Sequence, residues 1–151
     1  MLRQAFTDRL KDAMKARDVR TVSTVRLILA ALKERDVAAR GEGNTAGLAD
    51  SDIARMLQAM IKQRRESIVL YEQGNRPDLA QQENEEIAII ESFLPTQMTE
   101  EAIAAAARSA IAETGASGIR DMGKVMAELR QRHAGSMDFG RAGAIVKRLL
   151  G

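Results

Sequence analysis

Residues 91–101 read ESFLPTQMTEE, and this stretch divides the chain into two parts. Pro95 disfavours helical geometry at the preceding Leu94, so the helix before it has to end here. Thr99 is a good N-cap, and the two glutamates after it suit the positive end of a helix dipole. We therefore predict a new helix from residue 100 and a domain boundary between residues 94 and 95.

Apolar residues recur at helical spacing on both sides of this boundary and predict seven helices. Before it we expect four helices, near residues 2–17, 19–39, 51–73 and 77–93. After it we expect three helices, near residues 100–114, 121–134 and 138–150. The predicted fold class is all-α. Residues 1–94 form an N-terminal four-helix bundle, and residues 95–151 form a small C-terminal three-helix domain.

Residues that favour helix starts support these bounds. Asp50 or Ser51 can cap the third helix, and Asp121 and Asp138 can cap the sixth and the seventh. Between the second and third helices, residues 40–47 read RGEGNTAG. This polar, glycine-rich composition predicts a mobile loop.

The composition excludes several classes of functional site. The chain has no cysteine, one histidine, one tyrosine, three phenylalanines and no tryptophan. Disulfides, thiol nucleophiles, thiolate zinc sites and sites with two histidine ligands are therefore excluded. Four aromatic rings are too few for a base-stacking platform. The sequence also contains no P-loop, no dinucleotide-binding glycine motif and no nucleophile elbow. We predict no catalytic residue, no metal and no cofactor.

Two polar features have both a structural and a functional interpretation. Glu83 and Glu86 lie one helical turn apart, so they could share a divalent cation; a solvated acidic face that pairs with Arg or Lys across the bundle is the simpler interpretation. His133 falls at the end of the predicted sixth helix, in phase with Leu129. There we expect a structural or helix-capping role.

The N-terminal residues carry charges from Arg3 onward and lack the apolar core of a secretory signal. No apolar run approaches the ~18 residues that a membrane span needs. We therefore expect a soluble, cytoplasmic protein without a membrane partner.

Charge is distributed unevenly along the chain. Residues 1–40 hold ten Lys/Arg and five Asp/Glu, residues 41–94 hold five and ten, and residues 120–151 hold seven and three. Both ends are therefore basic and the middle is acidic. This pattern is typical either of ordinary solvated helix faces or of a surface that binds a polyanion such as RNA.

The C-terminal glycines are the most informative feature of the basic segment. Gly123, Gly140 and Gly143 fall inside predicted helices, where each costs about 1 kcal/mol relative to alanine. Close helix–helix contact is one reason to keep them, and close approach of a ligand backbone is the other. Basic residues surround these glycines, and the nucleic-acid-binding candidates are Gly123, Lys124, Arg130, Arg132, Arg141, Lys147 and Arg148.

A second basic patch lies on the predicted third helix. Arg55, Lys62 and Arg65 share one face by their spacing. They either pair with the acidic fourth helix or contact phosphate groups.

A set of short strings along the chain resembles one known family. In order, they are RLILAALK at 26–33, KQRRESI at 62–68, YEQGNRPDL at 71–79, FLPTQM at 93–98 and DMGKVM at 121–126. Each string is weak alone. Together, in this order and spacing, they resemble the GatB/YqeY family of small bacterial proteins over essentially the whole chain.

This resemblance implies an all-helical protein related to the tail domain of the B subunit of the tRNA-dependent amidotransferase. That enzyme forms Gln-tRNA or Asn-tRNA with glutamine as amide donor, so the family carries a carbon–nitrogen ligase label. The chain lacks the catalytic parts of both amidotransferase subunits, and we expect no turnover by the chain alone. Lys124, in the string Asp-Met-Gly-Lys, is the best-matched basic position for binding.

Two functions follow as hypotheses. The first is an accessory module that binds tRNA, by shape and phosphate contact, since stacking rings are few. The alternative is a protein-interaction module that docks on an aminoacyl-tRNA synthetase or an amidotransferase through complementary charge.

Overall fold

The computed structural model describes all 151 residues as helices and connecting turns, with no β-strand. The prediction of an all-α fold with seven helices is confirmed. A short 3₁₀ turn at Ile119–Asp121 precedes the sixth helix. The helices are α1 Leu2–Ala16, α2 Val19–Gly41, α3 Asp50–Gln73, α4 Pro77–Glu91, α5 Glu100–Thr114, α6 Met122–Arg132 and α7 Phe139–Leu150.

The chain forms two compact units, Met1–Leu94 and Pro95–Gly151. In the first unit, α1 packs on α2, α3 packs along α4, and α2 also contacts α4. The rings of Phe6 and Phe93 meet edge to face, with 4.8 Å between their centroids. The buried core is aliphatic around these rings and includes Val25, Ile28, Ile53, Met56, Leu57 and Ile90.

The start of α2 and the end of α4 show how local hydrogen bonds set helix ends. Asp18 caps α2, and its carboxylate accepts the backbone N–H of Thr21 at 3.2 Å and the Thr21 hydroxyl at 2.6 Å. Helix α4 begins with Pro77, as predicted, but it ends at Glu91 rather than near residue 93. The N–H groups of Phe93 and Leu94 donate three residues back, so the chain tightens into a turn before Pro95.

The start of the segment between α2 and α3 differs from the prediction, because helix α2 continues to Gly41. Several residues of this segment take part in hydrogen bonds. The Asp36 carboxylate accepts the Leu48 N–H at 3.0 Å, and Arg3 donates to the Leu48 carbonyl at 3.1 Å. The expected cap of α3 is also wrong: Ala49 occupies the N-cap, while Asp50 lies in the first turn.

In the second unit, α5 packs against α6 and α7 around a core that includes Ile103, Ala107, Leu129 and Val146. Helix α5 starts at the predicted cap, since the Thr99 hydroxyl accepts the Ala102 N–H at 3.1 Å.

Apolar spacing alone would bury two side chains that the structure leaves exposed. Met14 in the first unit and Leu149 in the second follow the apolar spacing of α1 and α7, yet they are 52% and 40% exposed. Each lies near the end of its helix and outside the set of residues that the neighbouring helices cover. No helix in the chain combines the length and the apolar character that crossing a bilayer requires.

Candidate nucleic-acid interface

Helices α6 and α7 carry all seven C-terminal candidates. Asp138 caps α7 as predicted, because its Oδ1 accepts the N–H groups of Gly140 at 3.0 Å and Arg141 at 3.2 Å. Asp121 occupies the N-cap position of α6 as predicted, but its side chain makes no capping bond to that helix. The Asp121 carboxylate instead accepts the Ser117 N–H at 3.0 Å and so closes the turn that precedes the helix.

The exposed faces of α6 and α7 carry the same pattern of residue types. On each helix a glycine, an alanine and a basic residue follow one another at spacing i, i+4, i+7, which places them on one face. All six residues are solvent-exposed. They are Gly123, Ala127 and Arg130 on α6, and Gly140, Ala144 and Lys147 on α7.

Two contacts show that α6 and α7 pack beside each other in opposite directions. The guanidinium of Arg130 lies over the ring of Phe139, 5.8 Å from its centroid, which joins the end of α6 to the start of α7. A Cβ built on Gly143 would lie 3.7 Å from Cε of Met122, at the start of α6. The end of α6 therefore lies beside the start of α7, so Arg130 and Lys147 lie toward opposite ends of the α6–α7 surface.

Only some of the candidate cations are unpaired. Lys124, Lys147 and Arg148 are exposed and form no ion pair within the chain. Arg132 is engaged with two carboxylates, those of Glu113 on α5 and Glu128 at 2.7 Å on its own helix. Since these contacts hold α6 against α5, Arg132 is less available to a ligand than the other candidates.

Arg141 faces the carboxylate of Asp138, at 3.8 Å between nitrogen and oxygen. Both side chains are more than a third exposed, so water screens this pair strongly. Arg141 therefore remains accessible on the outer side of α7, one helical repeat from Arg148.

The three helical glycines have three different environments. Nothing lies within 4 Å of a Cβ built on Gly123, so helix packing does not explain this glycine. A Cβ on Gly140 would lie 3.2 Å from the capping oxygen of Asp138, and one on Gly143 would make ordinary contacts with Met122 and Met126. Close helix contact therefore fits Gly143 alone, and Gly123 leaves its backbone open to a ligand.

The second basic patch does not form one cluster of unpaired cations. Arg55 lies 3.6 Å from Asp52 on its own helix, and Arg65 reaches across to Glu91 of α4 at 3.2 Å. Lys62 is exposed and forms no ion pair. Pairing with the acidic fourth helix, one of the two interpretations from sequence, therefore describes Arg65.

The acidic residues of α4 face arginines, as the simpler interpretation expected, but Glu86 is buried rather than part of a solvated face. Arg64 is 12% exposed, and its Nε lies 3.2 Å from Glu86 and 3.9 Å from Glu83. Burial, and then the charge of Glu86, raise the pKa of Glu83. Arg20 pairs with Glu85 at 3.2 Å. No group of three or more acidic or histidine side chains is arranged to hold a metal ion.

Gln97 is a residue that sequence reasoning missed. Its amide Nε2 donates to the carbonyl of Gly135 at 2.9 Å and to that of Pro95 at 3.0 Å. The Met98 N–H donates to the Ser136 carbonyl at 2.8 Å. These bonds attach the segment after Pro95 to the turn between α6 and α7, so Gln97 helps to position both basic helices. Its place in the string FLPTQM was the available signal.

His133 ends α6 through its backbone. Its carbonyl accepts the N–H groups of Ser136 and Met137 at 3.1 and 3.2 Å, and Gly135 follows in the left-handed region with φ of 84°. This geometry fits the structural role expected for His133.

The family profile described as YqeY-like protein matches residues 3–150. The "altered inheritance of mitochondria protein 41, mitochondrial" of Lachancea thermotolerans is 33% identical over 85 residues, which are 56% of this chain and 43% of that protein. An uncharacterized protein of Schizosaccharomyces pombe is 28% identical over 94 residues, 62% of this chain and 72% of that protein. The chain thus spans less than half the length of the first relative. Because the profile covers nearly every residue, the chain belongs to the YqeY-like protein family.

Proposed function

We propose that the protein is an accessory module that binds tRNA through the outer surface of α6 and α7. The observation that carries this proposal is the exposed Gly/Ala surface, flanked by the unpaired cations Lys124, Lys147 and Arg148. Small residues let a phosphodiester backbone approach the helices closely, and the cations supply charge to its phosphates. The resemblance to the amidotransferase tail points to tRNA among the RNAs.

The geometry supports backbone contact rather than reading of bases. The ring that lies at this surface, Phe139, is half-buried beneath Arg130, so it offers no free face for stacking. Recognition would therefore depend on the shape of the folded RNA and the spacing of its phosphates. No catalytic residue enters the proposal, and turnover would belong to a partner enzyme. The proposal includes the cytoplasmic location and bacterial origin expected from the sequence.

Filter binding of tRNA across a salt series tests the proposal. Affinity should fall steeply with salt, and the slope of log K against log salt should shrink when Lys147 and Arg148 are both changed to Ala. Arg108→Ala, which removes an exposed cation from α5, is the matched control and should change little. Absence of binding at low salt, or affinity that does not respond to salt, would contradict the proposal.

The alternative is a docking module for a synthetase or an amidotransferase. Its original motivation was complementary charge, but the acidic side chains Glu85, Glu86 and Glu91 already pair with arginines of the same unit. A pull-down from nuclease-treated lysate distinguishes the two functions. A synthetase or amidotransferase retained after nuclease treatment would favour docking, and partners lost with the RNA would favour tRNA binding.

A further inference from the structure

An open groove of ≈ 480 Å³ lies between α2 and α3 in the first unit. The apolar residues that line it are Ala31 of α2 and Met56, Ala59 and Met60 of α3. Helices α2 and α3 run antiparallel here, because Asp36 near the end of α2 binds Leu48 just before α3. The groove is accessible to solvent and is separate from the α6–α7 surface in sequence and in unit.

The charges around this groove are balanced and placed at its two ends. Glu34 and Arg35 project from α2 near the end where the connecting loop lies, while Lys62 and Glu66 project from α3 farther along the groove. None of the four forms an ion pair within the chain, and all four are exposed. Each end therefore presents one unpaired acid and one unpaired base.

This arrangement is complementary to a copy of itself. A two-fold axis that lies in the contact plane and runs obliquely to the groove exchanges two opposite corners, the α2 wall near the loop and the α3 wall at the far end. It brings Glu34 of one copy to Lys62 of the other, and Arg35 to the region of Glu66. Because every contact in such a dimer occurs twice, the four side chains provide up to four intermolecular ion pairs.

An exposed leucine lies where the same axis passes. Leu27 precedes Ala31 by one turn on α2, so it lies on the same face of this helix next to the groove, and it is 49% exposed. The axis places Leu27 against Leu27 of the second copy, which would remove both side chains from water. We infer that the α2–α3 groove is a homodimer interface whose occupant is a second copy of this chain.

The first test is the mass of the full chain by sedimentation equilibrium from about 1 μM to about 1 mM. The mass should rise from 16.5 kDa toward twice that value. Leu27→Glu should keep the chain monomeric. Ile119→Glu, at a 50% exposed position in the second unit and outside the residues that line the groove, is the matched control and should still dimerise. A wild-type chain that stays monomeric over the whole range overturns the inference, as does equal disruption by both variants.

The second test uses charge exchange. Glu34→Lys and Lys62→Glu should each weaken dimerisation about tenfold, because each places like charges opposite each other. The double variant restores opposite charges across the dimer and should recover most of the affinity. Additive losses in the double variant would show that these residues do not meet and would overturn the proposed contact. Circular dichroism of each variant monitors helix content, and these positions are exposed, so the fold should persist.

Discussion

Arg3 and Asp36 form a two-pronged ion pair, in which the guanidinium nitrogens lie 2.7 and 2.8 Å from the two carboxylate oxygens. The same carboxylate accepts the Leu48 N–H, and the same guanidinium donates to the Leu48 carbonyl. These four bonds join the start of α1, the end of α2 and the loop before α3. They explain why a glycine-rich loop takes a defined path.

Asp36→Ala should therefore lower the free energy of unfolding by about 1–2 kcal/mol, because it removes charge-assisted bonds that are only partly shielded from water. Asp36→Asn keeps an oxygen for the Leu48 N–H and should cost less. Urea unfolding of the full chain measures both. Equal losses for the two variants would show that the Leu48 bond contributes nothing.

The carboxylate of Asp36 should make the free energy of unfolding depend on pH in the acidic range. The side-chain bond from Arg3, and then the Leu48 N–H, lower the pKa of Asp36 to about 2. Since the folded-state pKa lies below the unfolded value, this stability is fully present above the unfolded pKa near 3.8 and is lost as pH falls toward 2. Unfolding free energies measured down this range should decrease more for the wild type than for Asp36→Asn, whose amide does not titrate there.

Glu83 and Glu86 should respond in opposite ways to loss of charge. Glu86→Gln weakens the nearly buried pair with Arg64 and should destabilise the first unit by about 2–4 kcal/mol at pH 7. Glu83→Gln removes the carboxylate whose own pKa is raised, first by burial and then by the negative charge of Glu86. A raised folded-state pKa means that wild-type stability falls as pH rises through it, so the benefit of Glu83→Gln should grow from pH 4 to pH 7.

Thermal unfolding of these two variants at both pH values gives the comparison. A Glu83→Gln variant that loses stability more at pH 7 than at pH 4 would mean that its attraction to Arg64 outweighs the repulsion from Glu86.

Gln97→Ala should destabilise the second unit by about 1–2 kcal/mol, because it leaves the carbonyl of the buried Gly135 without its side-chain donor. Thr96→Ala, at the exposed neighbouring position, is the control and should be close to neutral. Amide hydrogen exchange in the turn between α6 and α7 should accelerate in the first variant. Unchanged exchange would show that Gln97 does not hold this turn.

Gly123→Ala should separate stability from binding. The added methyl group meets no atom within 4 Å, so helix propensity alone should raise stability by about 1 kcal/mol. If an RNA backbone approaches this position, the same methyl group should weaken tRNA binding severalfold. Gly143→Ala, whose methyl group would touch Met122 inside the unit, is the matched control and should leave RNA affinity unchanged. Stronger or unchanged tRNA binding by Gly123→Ala would remove Gly123 from the interface.

The sequence was sufficient for the fold class, the number of helices and several of their ends. These features depend on local causes, which act over only a few residues of the chain. Examples are the apolar spacing, the caps at Thr99 and Asp138, and the ring of Pro77. Two expected capping side chains bond elsewhere. Asp121 lies at the N-cap of α6, but its carboxylate bonds back to Ser117 in the preceding turn. The Asp50 carboxylate faces the first residues of α1, a partner that is distant in sequence and that helix-capping rules do not contain.

The candidate site shows the same division between local and long-range information. Composition and spacing identified the basic, glycine-containing surface of α6 and α7, and the sequence motifs identified the family. Only the tertiary structure decided which cations are unpaired. In the sequence, Arg132 and Lys147 are both basic residues near the end of a helix. In the structure, Arg132 meets a carboxylate from α5, whereas Lys147 faces water. Charge pairing depends on distances between helices, which the order of residues along a single helix does not contain.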